Sequence, residues 1–305
     1  MSGFSQLDLF DDQPDLDRPS SGGPANPIAP EDLSDGDLVS SIPDATLGEA
    51  SAMSAEAGKR RISAADPALV SLCNRFVGYG AGVAVPEQIA ALKALGSIGG
   101  QEAKQAVSRL IAKKIVQGPT LATALAVASQ LDVVLPNDVS LDLLRNPSSA
   151  VRAAACSCVR PGYEVITTLV SMIDGPDDEV ARASACALGR MGRIEALGHL
   201  KRHLLERPSR LVVEALARVA DEEAIVLLAR MGRARRELID IVIAALEEIE
   251  TPRALDVAGA LKKFLRPGGV SGDTTIPRDR KGEHEAGPER RETHDSHHRG
   301  TRSTN

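Results

Sequence analysis

The sequence predicts an all-α protein: a right-handed α-solenoid of about six two-helix repeats, with a disordered tail at each end. Three observations carry this. Pro86, Pro119, Pro147, Pro176 and Pro208 each open an apolar-periodic segment, at spacings of 33, 28, 29 and 32 residues. A second marker keeps step with them: Ala94-Leu95, Ala124-Leu125, Ala187-Leu188, Ala215-Leu216 and Ala245-Leu246, with Cys158-Val159 filling the gap, at spacings of 30, 34, 29, 28 and 30. The body of the chain is rich in Ala and Leu and has few β-branched runs. A period near thirty, too short for a domain and long enough for two helices, means a stacked array.

Residues 1–43 are rich in Asp, Ser, Pro and Gly and bury too little apolar surface to offset their ordering entropy, so a disordered acidic arm is expected. Residues 1–58 carry 12 acids and 1 base, residues 59–266 carry 23 acids and 28 bases, and residues 267–305 carry 7 of each. The mild overall charge of −6 therefore hides an acidic arm on a slightly basic body. Residues 44–85, including "LVSLCNRFVGYG", are expected to form a helical N-terminal cap over the first repeat, with "GYGAG" at 78–82 as a connector. The repeats follow over 86–266. Proline suits the first turn of a helix, where its missing amide would have no partner. The unit "PTLATALAVASQLDVVLPNDVSLDLLRN" has no Gly at its turn and is expected to have a short second helix. In "DDEVARASACALGRMG", Val180, Ala183, Ser184, Ala187, Leu188 and Met191 fall on one helix face. Asp177 and Asp178 suit the positive end of the dipole, and Gly189 and Gly192 are expected to loosen the helix end. The next helix, "RIEALGHLKRHLLE", turns Leu197, Leu200 and Leu204 inward and His199, Arg202, His203 and Glu206 outward. Neither helix covers its stripe alone, so each unit must stack on its neighbours. Residues 267–305 hold one Val and one Ile and are expected to form a second disordered, charged, His-containing tail.

"ALGSIGGQEA" at 94–103, "AVRAAACSCVR" at 150–160 and "EVARASACALGRMGRIEA" at 179–196 resemble the HEAT-repeat family, in its short bacterial, phycobilin-lyase-like form. The resemblance spans roughly residues 86–265. It implies a superhelix that binds partners over a large shallow surface. The family's Val-Arg pair stands at Val151-Arg152; in the next full unit the matching Arg is Ala181.

A search for chemistry comes back nearly empty. There is no phosphate-binding loop ending in Gly-Lys-Ser/Thr, no dinucleotide fingerprint and no Gly-x-Ser-x-Gly. No catalytic residue and no cofactor is assigned. His199 and His203 lie four apart with Glu195 a turn back, a spacing that can hold a metal, but a site needs further ligands from a neighbouring helix. They are a weak candidate, and two solvated histidines is the preferred reading. His284, His294, His297 and His298 make a loose His-rich tract in the tail. Cys73, Cys156, Cys158 and Cys186 lack paired spacing and read as reduced thiols filling core gaps. Lys201, Arg202, Arg230, Arg233, Arg235, Arg236, Lys262 and Lys263 gather near helix ends and could line one rim of a groove; cations also favour helix C-termini for their own sake. With no Trp, two Tyr and four Phe, stacking groups are scarce, so direct nucleic-acid binding is disfavoured. No apolar run approaches the ~20 residues a bilayer requires, and the expected location is cytoplasmic.

One stretch of the acidic arm stands out. Gln6-Leu7-Asp8-Leu9-Phe10, "QLDLF", resembles the pentapeptide by which bacterial replication and repair proteins dock on the sliding clamp. The resemblance implies that Gln6 orients the peptide through its amide while Leu9 and Phe10, with Leu7 beside them, fill an apolar pocket. A short extended motif must be free of its own fold to enter a partner's groove. Two other readings stand beside it: internal docking of Leu7, Leu9 and Phe10 on the superhelix, and binding to an unrelated protein; separately, the acidic arm is a candidate to fold back and mask the 230–263 rim. The leading expectation is a non-catalytic adaptor with protein partners. The alternatives are a lyase-like enzyme or enzyme subunit and a DNA-associated repair factor that holds duplex in its groove.

Overall fold

Prolines and short capping side chains decide where the helices begin. The computed structural model describes residues 29–79 and 81–265. The pentapeptide residues Gln6, Leu7, Leu9 and Phe10, the four tail histidines and the expected tail over 267–305 lie outside the described residues. Among the described residues there are fifteen α-helices and no strand: α1 (Asp35–Ser41), α2 (Leu47–Arg60), α3 (Asp66–Arg75), α4 (Pro86–Ile98), α5 (Gly100–Ala112), α6 (Gly118–Gln130), α7 (Asn137–Leu144), α8 (Ser149–Ala155), α9 (Tyr163–Ile173), α10 (Asp178–Arg190), α11 (Leu197–Glu206), α12 (Arg210–Ala217), α13 (Glu222–Ala234), α14 (Ile239–Ile249) and α15 (Pro252–Leu265).

The period-marking prolines split into two groups. Pro86 and Pro119 stand in the first turn of α4 and α6. Pro147, Pro176 and Pro208 instead precede the N-cap residues Ser148, Asp177 and Ser209, so they end the connector and leave the cap to the next residue. Asp177 Oδ1 accepts from the amides of Glu179 and Val180, both at 3.1 Å. Such caps satisfy amides that have no partner within the helix. At the front of α2, Glu49 Oε2 accepts from the Thr46 amide at 3.2 Å and from the Thr46 hydroxyl at 2.6 Å. Helix α7 is short, and its connector from α6 uses Asp132 at φ 52° in place of a glycine.

The helices form two rows. Helices α2, α4, α6, α8, α10, α12 and α14 contact one another in sequence, making one continuous row. Each odd helix packs over the even helix that follows it: α3 on α4, α5 on α6, α7 on α8, α9 on α10, α11 on α12 and α13 on α14. Every hairpin thus buries part of its apolar surface on the next hairpin, and the described residues up to Lys263 form one compact unit. This is an α-solenoid. The stretch expected as a cap supplies α2 and α3, which continue both rows by packing on α4, with α3 also reaching α5.

Three local expectations are corrected. Residues 30–43 were expected to be disordered, but they form a 3-10 turn and α1, because Leu38 and Ile42 are fully buried and Arg60 reaches back to donate to the carbonyls of Glu31 and Leu33. Gly189 does not loosen the end of α10. It is buried within the helix, and a Cβ there would lie 2.7 Å from Leu200 Cδ1 and 2.8 Å from the Ala215 carbonyl oxygen. It is glycine because α10 and α12 approach too closely for a side chain; Gly192, at φ 71°, makes the turn. His203, expected on the outer face of α11, is fully buried.

Polar groups also join the hairpins. The Val85 amide donates to Thr120 Oγ1 at 3.1 Å, Gln88 Nε2 to the Cys73 carbonyl at 2.9 Å, and Arg190 Nη2 to the Cys156 carbonyl at 2.9 Å. Each crosses between neighbouring units, so the rows are held in register by directional bonds as well as by packing.

Candidate functional site

The eight basic positions all fall on or just after three odd-numbered helices, α11, α13 and α15. Lys201 and Arg202 lie within α11, Arg230 and Arg233 on α13, Arg235 and Arg236 at the turn that follows, and Lys262 and Lys263 in the last turn of α15. All but Lys201 are exposed. Three are spoken for by local carboxylates. Lys201 Nζ meets Asp221 Oδ2 at 2.7 Å and Glu223 Oε2 at 2.6 Å, Arg235 pairs with Glu237 at 3.6 Å, and Lys262 pairs with Glu247. Arg202, Arg230, Arg233, Arg236 and Lys263 have no ion-pair partner among the described residues. The face is therefore a mixed-charge surface with free guanidinium groups rather than an unbroken cationic stripe, which suits a protein partner of mixed charge.

Among the described residues several clefts open between helices, and two of them have partly apolar walls. One of about 770 Å³ lies among α5, α6 and α7, lined by Ile111, Val116, Leu121 and Leu141, with the Lys114–Asp142 ion pair of 2.7 Å at its edge. The other, about 530 Å³, is lined by Cys156, Asp177, Arg182, Cys186, Arg190 and Leu211. Burial pushes the Cys156 and Cys186 thiols up to about 11, so both stay protonated at neutral pH. Cys73, where burial alone raises the thiol to about 12, and Cys158 are likewise buried, and none of the four is in a disulfide. They fill space between helices.

The two histidines of α11 part company. His199 is partly buried, with Nε2 3.5 Å from Asp174 Oδ1. Glu195, proposed as their companion, pairs instead with Arg193 at 2.6 Å. His203 turns inward and meets two carboxylates: a ring nitrogen of His203 and oxygens of Asp178 and Glu206 all lie within 4.8 Å of one another. Burial first, and then the charge of Arg202, holds the His203 imidazole below its ordinary pKa, so it is neutral at neutral pH. Asp178 belongs to α10 and stands far from His203 in sequence, so no spacing rule on α11 could have found it.

Residues 137–221 match the family described as HEAT repeats. This stretch is a run of HEAT repeats. It begins at the first residue of α7 and ends at Asp221, the N-cap of α13, so it takes in both helices of the hairpins α8/α9 and α10/α11. No curated protein matches the chain.

The matched stretch contains Pro147, Pro176 and Pro208 and the Ala187-Leu188 and Ala215-Leu216 markers. Helices α2 to α6 before it and α13 and α14 after it continue the same two rows. HEAT repeats are in general scaffolds for protein interaction, because the stacked units offer extended surface that no single hairpin could hold in place. Among the described residues no helix is long and apolar enough to cross a membrane. The Asp178–His203–Glu206 cluster sits inside the matched stretch.

Proposed function

We propose that the protein is a non-catalytic adaptor. In this reading the helical array holds one protein partner against its solvent-facing helices, and the pentapeptide Gln6–Phe10 tethers the assembly to the replication sliding clamp. The observation that carries it is the sequence Gln6-Leu7-Asp8-Leu9-Phe10, which agrees with the clamp-docking pattern at every position that does chemical work. Residues 11–29 separate Phe10 from the first described turn, and at ~3.3 Å per residue they can span at most roughly 60 Å. That reach lets a clamp-bound peptide and a partner-bound array act at once. The array's mixed-charge face, with Arg202, Arg230, Arg233 and Arg236 exposed, supports a protein partner for the body.

The test is an affinity measurement between a peptide of residues 1–16 and the purified sliding clamp of the same host, repeated with the full chain. Micromolar binding, about −8 kcal/mol, is expected. It should vanish when Leu9→Ala and Phe10→Ala are combined. Absence of binding, or binding that survives the double substitution, ends the proposal.

A further inference from the structure

His203 is fully buried on α11, and neither Nδ1 nor Nε2 has a hydrogen-bond partner. A buried polar atom that has lost water and gained nothing is destabilising, and one left in a folded protein calls for a reason. One of those ring nitrogens lies within 4.8 Å of an oxygen of Asp178 and of an oxygen of Glu206. The geometry points to a divalent transition-metal site made by His203, Asp178 and Glu206, taking Zn²⁺ or an ion of similar softness, with water completing the coordination.

His203 and Glu206 are three apart on α11, which places them on one face. Asp178 is the first residue of α10, so the ion would bridge the two helices of one HEAT hairpin. Zinc–donor distances of ~2.0–2.2 Å require the donors to draw closer than they now stand. The imidazole is fixed by burial, but both carboxylates are on exposed side chains and can rotate inward. The surrounding charges select the kind of ion. Arg207 Nη1 lies 3.1 Å from Asp178 Oδ2, and the charges of Arg202 and Arg182 also reach His203. These cations oppose an ion such as Ca²⁺ or Mg²⁺, which is held mainly by charge. A borderline metal gains a directional bond to the imidazole nitrogen, and that bond does not depend on net charge. The neutral state of His203 leaves its lone pair available.

The test uses the full chain with His284, His294, His297 and His298 replaced by Ala, so that the tail cannot compete for the ion. Zn²⁺ is titrated into it by isothermal calorimetry. One ion per chain is expected, and Glu206→Gln and Asp178→Asn should each weaken binding at least roughly tenfold. Both substitutions are at exposed positions, and unchanged circular dichroism and melting of the metal-free variants will verify that the fold is kept. Arg207→Ala, which frees an Asp178 oxygen, should tighten binding. No saturable uptake in the tail-substituted chain, or uptake indifferent to both carboxylate substitutions, overturns the assignment. Neither result bears on the clamp-binding peptide.

Discussion

Asp66, the first residue of α3, is only 4 % exposed, and its Oδ1 has no hydrogen-bond partner. Burial, and secondarily the charge of Glu102, pushes its carboxyl up to about 6 from an ordinary 3.8. The folded state therefore holds this proton more tightly than the unfolded chain does. The contribution of this group to stability is greatest below pH ~4 and declines as pH rises through ~6. A shift of about two units corresponds to an upper limit of about 3 kcal/mol. Asp66→Asn should remove most of that penalty, raising stability at pH 7 by about 1–3 kcal/mol and flattening the profile between pH 4 and 6. Urea unfolding across that range checks it; an unchanged pH profile would show that the carboxyl is not the titrating group. Neither Asp66 nor His203 betrays itself in a helical wheel. A first-turn Asp reads as a dipole partner, and a His between Arg202 and Leu204 reads as surface, until the neighbouring helix is in place.

At the scale of the element, α1 shows how one side chain can order a segment of unpromising composition. Arg60, at the end of α2, donates from Nη1 to the Leu33 carbonyl at 2.8 Å and from Nη2 to the Glu31 carbonyl at 2.7 Å. It also pairs with Asp35 at 3.1 Å and Glu56 at 2.8 Å. Carbonyls that would otherwise face water are gathered around one cation, and Leu38 and Ile42 are then able to bury on α2 and α3. Hydrogen bonds from a charged donor are stronger than those between neutral groups. Arg60→Ala should accordingly speed amide exchange throughout Asp35–Ser41 while leaving α2 protected. If protection over α1 is unaltered, the guanidinium is not what holds that segment.

Across the whole molecule, the overlap of each odd helix on the next even helix makes stability a nearest-neighbour property. Leu188 is fully buried on α10, the helix against which α9, α11 and α12 all pack. Leu188→Ala should cost about 2–5 kcal/mol. Its effect should pass to both sides, lowering the melting temperature of the array and loosening amides in α8 and α12 together. A loss under about half a kcal/mol would mean that the helix register around α10 is other than described.

By itself the sequence determined that the chain is helical, that its helices come in pairs with a period near thirty, and that those pairs stack. Proline placement, capping residues and apolar spacing are local signals, and each is read within one or two turns. Only the tertiary structure decided that residues 30–43 dock, that Gly189 marks a close helix approach, and that His203 faces Asp178 and Glu206. Each of those outcomes depends on which side chain arrives from a different helix, and a repeat of period thirty brings such partners together across distances that no local pattern records.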